Sequence, residues 1–298
     1  IIGDLSQAYE FTTLDDAVNS TIQFPVGKVI NLKERTLGKG GGATWDVVSS
    51  STVSEYNSYT APFTSNADLV LALRIDKGDY IASQFGVKSY DASNTESNSQ
   101  ALMDIYNHAQ NNKSLSSDMG SRGGGLSTIT LPKGVINFVE TLEFSSMQGF
   151  IIKGAGKRAT SLVMNNTSNL LFNVSAYNDC KIQDLAIFAG ALSIGIDGLP
   201  LISYQEEGLR DNVCFSFNST AAGTDFILDN VYISEFGAVF RSVDSLVNGD
   251  NHHHKDCYFR GNDKVWANYN PQAVLWSFTD CKYYFNRVVF ENAATSFL

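Results

Sequence analysis

Three of the chain's four histidines stand in a row, His252-His253-His254, two residues after Asp250 and directly before Lys255. In a strand the side chains alternate, so His252 and His254 share one face and His253 takes the other. Imidazole is an ordinary general base near neutral pH. β-Elimination beside a uronate carboxylate needs such a base, together with a cation that holds the resulting enolate. His254 with Arg241 or Lys255 would supply both. Two other readings fit the same residues: a metal site with Asp250 as third ligand, and a polar turn with its imidazoles in water.

Glycoside hydrolysis asks for something else, two carboxyl groups about 5–5.5 Å apart for retention or about 6.5–9.5 Å apart for inversion. Candidate acids are Glu206, Glu207, Asp225, Glu235, Asp244, Asp250, Asp263 and Glu291, each of which is also an ordinary surface acid. Two stretches stand out, the acidic loop from Pro200 to Asp211 and the segment from Asp244 to Asp256. Glu235, Asp250 and His254 are the catalytic candidates. Glu206, Glu207, Arg241, Trp266 and Tyr269 are the substrate-binding candidates. Trp266 and Tyr269 would stack on sugar rings, or else pack on a neighbouring subunit.

The bulk composition narrows the partners. A net charge of −10 repels nucleic acid and anionic membranes, so neither is expected to bind. It leaves room for an acidic polysaccharide in a groove whose local charge differs from the mean. No apolar run approaches the ~18 residues of a membrane span. The first residues, Ile1-Ile2-Gly3-Asp4, show neither the basic nor the apolar region of a secretory signal, and no initiator Met, so the numbering is expected to start inside a longer gene product. Cys180, Cys214, Cys257 and Cys281 form no CxxC pair, which argues against zinc. Their strand-like surroundings predict buried free thiols, suited to a reducing cytosol. No cofactor or metal is expected.

The elements that must position these side chains are mostly strands. Apolar residues make up 43% and charged ones only 17%, below the usual quarter, which favours sheets with polar turns over long surface helices. Leu14–Val18 reads as a short helical turn, and Lys28–Leu32 and Leu69–Ile75 as strands. The glycine run Gly40-Gly41-Gly42 precedes a strand pattern, not a helix, so it is a tight turn or bulge between strands rather than a phosphate loop. One helix is predicted at 95–110, capped by Asn94-Thr95, with Ala101, Leu102, Ile105, Tyr106 and Ala109 on one stripe. From Ile129 onward only short strands recur. A polar residue ahead of an apolar strand repeats at Asp184, Asn230, Asp256 and Asn286, in steps of 46, 26 and 30 residues. With the first step counted as two coils, each coil has roughly 20–30 residues, the mark of a stacked solenoid. Such a solenoid has an open end, and an amphipathic helix just before the first coil would cover it.

Ser83-Gln84-Phe85-Gly86-Val87-Lys88, the helix with Gln100-Ala101-Leu102, and Leu131-Pro132-Lys133-Gly134 resemble the opening of the pectate-lyase-like β-helix superfamily. Ile152-Lys153-Gly154-Ala155-Gly156 and Thr160-Ser161-Leu162 resemble its next coil. The family's Gly-Asp-Gly-x-x-Asp-Asp tract is degraded here to Ser89-Tyr90-Asp91-Ala92-Ser93-Asn94-Thr95-Glu96. The block from Asn31 to Val47, with its Gly-rich turn and aromatic strand, resembles a module that precedes the β-helix in bacteriophage tailspikes and capsule depolymerases. The resemblance covers about residues 25–165. It implies an all-β fold, a right-handed parallel β-helix at 129–298, preceded by a small mixed virion-proximal module at 1–80 and a neck strand, capping helix and loop at 81–128. It also implies a homotrimer on the virion tail, folded in the host cytoplasm, joined to other tail or baseplate proteins by its N-terminal module. Such a protein recognises host capsular or O-antigen polysaccharide. It cleaves that polysaccharide by hydrolysis or by β-elimination, or only binds it; a bacterial polysaccharide lyase is the remaining alternative. The strand pattern still runs at Phe297-Leu298, so the β-helix, and with it part of the active site, is expected to extend past this chain.

Overall fold

Short strands that are apolar inside and polar outside leave both edges unpaired unless another coil stacks on each. The computed structural model of the chain describes residues 8–75, 78–112, 127–145, 147–165, 170–206, 210–218, 224–242, 251–269 and 276–292. Residues 9–73 hold a five-stranded mixed sheet of Tyr9–Phe11, Val29–Thr36, Gly40–Ser49, Leu69–Leu73 and Thr60–Pro62, in that spatial order. Its first pair is parallel and the rest antiparallel. Helix α1 (Leu14–Val18) starts in a capping box between Thr13 and Asp16. The turn falls at 37–39, and the glycine run opens the strand after it as the expected bulge: the register shifts between Glu34 and Thr36, opposite Gly40 and Gly41 at φ 73° and 79°. Arg35, whose guanidinium lies 5.4 Å from the Trp45 ring, donates to the Gln84 carbonyl at 2.8 Å and so ties this sheet to the segment that follows.

The remainder is a parallel β-helix with three faces. One interior column runs through Tyr80, Ile129, Ile152, Ile182, Leu228, His254 and Phe278. A second runs through Ile136, Leu162, Ile187, Ile233, Phe259 and Tyr283. A third stacks Phe172, Phe215, Phe240, Trp266 and Phe290. With Phe144 at its start, the aromatic column has successive ring centroids 4.9–6.4 Å apart. That spacing follows from strands about 4.7–4.9 Å apart carrying offset rings. The ladder begins with Asp79–Ile81, ahead of the expected start at 129, because that strand pairs with Ser127–Thr130. The four cysteines are free, three of them buried.

The repeat has a physical cause. Asp184, Asn230, Asp256 and Asp280 hold φ between 52° and 59° and form one stacked bend between the first two faces. Asp and Asn tolerate this left-handed region best among residues with a Cβ. Asn230 also donates to Asp184 across the coils at 2.8 Å. Two expectations are corrected. Asn286 is not the fourth member, since Asp280 takes that place. The step of 46 residues is one coil, because Leu185 pairs directly with Val231. The extra length is an inserted antiparallel hairpin, Ala191–Ile194 with Pro200–Ser203.

Helix α2 (Ser99–Asn111) covers the first coil as expected. Leu102, Ile105, Tyr106 and Ala109 are buried, and the Tyr106 ring meets Phe144 and Phe150 at 4.7 and 5.3 Å. It starts later than predicted. Asn94 is held in a tight bridge with Asp91, and Asn98, at the helix start, spends its side chain on the backbone of Lys88 and Asn137. No helix among the described residues is long and apolar enough to cross a membrane.

At another bend, between the second and third faces, a column of asparagines satisfies buried backbone. Asn262, fully buried, accepts from the Phe236 amide at 3.0 Å and donates to the Ile233 carbonyl at 3.2 Å. Asn262→Ala strands both groups away from water, so it is expected to cost roughly 2–4 kcal/mol. A urea unfolding midpoint equal to that of the parent protein would contradict this.

Candidate functional site

The same bend builds the site. Strand Thr224–Ser234 ends, the chain turns through Glu235-Phe236-Gly237, and strand Ala238–Ser242 begins the third face. Phe236 turns inward and is fully buried. Gly237 passes so close to the Arg210 carbonyl that a Cβ would sit 2.3 Å from its oxygen. Glu235 holds φ 70°, a left-handed conformation that its counterpart one coil later leaves to Gly261. A glutamate there is strained, and such strain persists only where its surroundings enforce it.

Arg210 is what enforces it. Its Nη2 lies 2.5 Å from Glu235 Oε2, and its Nη1 lies 3.6 Å from Asp263 Oδ1. The same guanidinium donates to the Gln205 carbonyl at 3.0 and 3.1 Å and to the Gly261 carbonyl. The Arg210 and Asp263 side chains are only 6% and 7% exposed, and Glu235 is 19% exposed. Two carboxylates therefore share one rigid cation. Two ion-pair legs across a planar guanidinium keep their nearest oxygens within roughly 8.5 Å of each other, no farther apart than glycosidase pairs.

Beyond the bend, on the third face, lies a groove of about 290 Å³. Val213, Ala238 and Ala267 form its floor, and Arg241, Asp263, Lys264, Tyr269 and Arg287 stand around it. Strand register explains the shape. Ser216, Arg241, Ala267 and Glu291 make one outward rung, and the small residues leave a hollow between longer neighbours. Lys264 pairs with Glu291. Arg241 and Arg287 make no ion pair among the described residues, and the Arg241 Nε is buried without a hydrogen-bond partner. Unpaired guanidinia in a chain of net charge −10 suit a bound carboxylate.

The structure thus brings together Glu235, Asp263, Arg241 and Tyr269 of the expected residues, with Glu291 beside them on Lys264. Glu206 is exposed, on the loop whose Gln205 carbonyl binds Arg210. Glu207, Asp244 and Asp250 lie outside the described residues, so the expected metal alternative, with Asp250 as ligand, has no geometry to judge. No group of three metal-ligating side chains occurs among the described residues.

His254 is a correction. The three histidines are a strand, with His253 outward and His252 and His254 inward, each 1% exposed. Their interior places are held one coil earlier by Phe226 and Leu228. His252 Nε2 meets the Tyr177 hydroxyl at 2.6 Å, while both nitrogens of His254 are unpartnered. Burial pushes the His254 imidazole down to about 3, and drives His252 well below its usual value. A neutral imidazole sealed inside the coil has no path to a substrate outside it. Trp266 is likewise interior, 2% exposed in the aromatic column, and offers no ring to a sugar. Arg210 and Arg287 were missed. The one visible signal for Arg210 was its place at the end of the acidic interruption from Pro200 to Asp211.

Among solved structures the chain resembles the tailspike protein gp49 of Acinetobacter baumannii bacteriophage Fri1, described as a capsular polysaccharide depolymerase. The TM-score is 0.61 at 11% identity, over 96% of this chain and 60% of that one. Tailspike protein 2 of an Escherichia coli bacteriophage, CAB120, is similar at TM-score 0.43 and 11% identity, over 93% of this chain and 36% of that one. The chain thus spans less than two thirds of each of these tailspikes, and at 11% identity the likeness to gp49 is one of fold. No protein-family model and no curated protein matches the chain.

Proposed function

We propose that this chain is the β-helical portion of a trimeric phage tailspike, that it binds an acidic capsule or O-antigen in the third-face groove, and that it hydrolyses it at the bend. The observation that carries this reading is the Glu235–Arg210–Asp263 cluster opening onto a groove with two unpaired arginines. Arg241 and Arg287 hold the carboxylates of the glycan. Asp263, at the groove wall, and Glu235, across Arg210, supply the carboxyl pair: one gives its proton to the leaving glycosidic oxygen while the other takes a proton from the water that attacks the anomeric carbon. Hydrolysis is preferred over elimination because the expected imidazole base lies inside the coil. The N-terminal module serves attachment to other tail proteins.

Incubation with purified capsule from the host is expected to give new reducing ends without an unsaturated ultraviolet chromophore. The chromophore would mean elimination. Binding without any shortening of the glycan would overturn the enzymatic reading and leave a receptor-binding protein.

A further inference from the structure

The second face carries an aromatic column that the groove does not use. Tyr232 and Tyr258 point outward on adjacent strands in register, and the Phe188 ring lies 5.5 Å from the Tyr232 ring. All three are half-buried, on the outside of a coil where polar side chains are the rule. Lys157 Nζ lies 4.2 Å from the Tyr258 ring centre and Lys282 Nζ 5.0 Å from it, with Arg158 beside them. Lys157, Arg158 and Lys282 make no ion pair with a carboxylate among the described residues, although the chain has ten more acids than bases. The Tyr258 phenol is held below its usual value of 10, first by Lys282 and further by Lys157. The five residues other than Lys282 line a cleft of about 300 Å³, the lower limit of small-molecule sites.

A flat ring receives the C–H face of a sugar, and a cation at its edge selects a sugar that bears a carboxylate. We propose that Phe188, Tyr232 and Tyr258, with Lys157, Arg158 and Lys282, form a second binding site for a carboxylated polysaccharide, on the other side of the bend from the groove. The Tyr204 phenol is raised by burial and then by the charges of Glu235 and Tyr232. A glycan crossing the bend would meet the platform, then Glu235, then the groove. This rests on the reading above that the chain binds an acidic glycan, but its test is a separate one.

The test is affinity electrophoresis of the full chain through gels containing alginate, a polyuronate, or neutral dextran. Retardation by alginate and not by dextran is expected. Tyr232→Ala with Tyr258→Ala should weaken that retardation about tenfold, the effect of removing a central aromatic anchor. Lys157→Gln with Lys282→Gln keeps the rings, guards against misfolding, and should also weaken it. A groove variant, Arg241→Met with Arg287→Met, should keep the platform's share of retardation. Equal retardation in dextran, no retardation in alginate, or unchanged retardation in both platform variants would overturn the site. A change of sedimentation in the tyrosine variant with unchanged retardation would assign the face to a subunit contact and overturn it equally. Capsule cleavage reports on the bend alone, so either reading can fail without the other.

Discussion

Glu235→Gln is expected to lower capsule depolymerisation by about 10²–10⁴-fold, the usual contribution of a positioned carboxyl group. Binding of the intact glycan should change little, because Arg241 and Arg287 remain. The amide keeps the shape of the side chain and an oxygen that can still accept from Arg210, but it removes the charge. Arg210, 6% exposed, then keeps Asp263 at 3.6 Å as its one carboxylate partner. Part of a buried pair is lost, so the midpoint of unfolding should also fall. Rates must therefore be compared well below both midpoints. Asp263→Asn should behave alike, with a larger stability loss because its side chain is the more buried of the two. Rates within tenfold of the parent protein in both variants would remove this pair from the chemistry.

The second large effect concerns stability in acid. The unfolded chain takes up a proton on His254 near pH 6.5, whereas the folded chain holds that imidazole neutral down to about 3. Between those values the unfolded state binds the extra proton. Stability is therefore complete above about pH 6.5 and falls as pH is lowered toward 3, by about 1.4 kcal/mol per pH unit. His252 is shifted the same way, by burial first and by His254 and His253 next, and adds a similar slope. His254→Leu places in this coil the residue that Leu228 supplies one coil earlier. It removes two buried polar atoms without partners, so it is expected to stabilise the protein at pH 7 by roughly 1–3 kcal/mol. It should also remove one histidine's share of the acid slope. Urea unfolding from pH 4 to 8 checks both. Parallel profiles for the variant and the parent would show that His254 reaches water.

Local chemistry made much of the fold legible. Apolar strands separated by polar Asp or Asn predicted stacked coils, since those two residues enter the left-handed bend most readily. The stripe from Leu102 to Ala109 identified the helix that covers the first coil, and the glycine run identified the bulge at the start of the Trp45 strand. Alternation also put His252 and His254 on one face. Which face was inside depended on where the bends fall, and a bend is set by how a coil closes on its neighbours. Trp266 was misplaced for the same reason. The coil length was misread at the 46-residue step, because nothing local distinguishes two coils from one coil with an inserted hairpin.

The site was legible only in fragments. Glu235, Asp263, Arg241 and Tyr269 were visible as residue types able to bind or cleave a glycan, yet so were acids that stand elsewhere. Arg210, Glu235 and Asp263 are far apart along the chain and meet because successive coils return to the same bend. By itself the sequence determined that coils would stack and which residues could tolerate the turns, since both depend on neighbours along the chain. Only the tertiary structure decided which charges share a bend and which rings face water. Those depend on the return of the chain one coil later, after an insertion of any length.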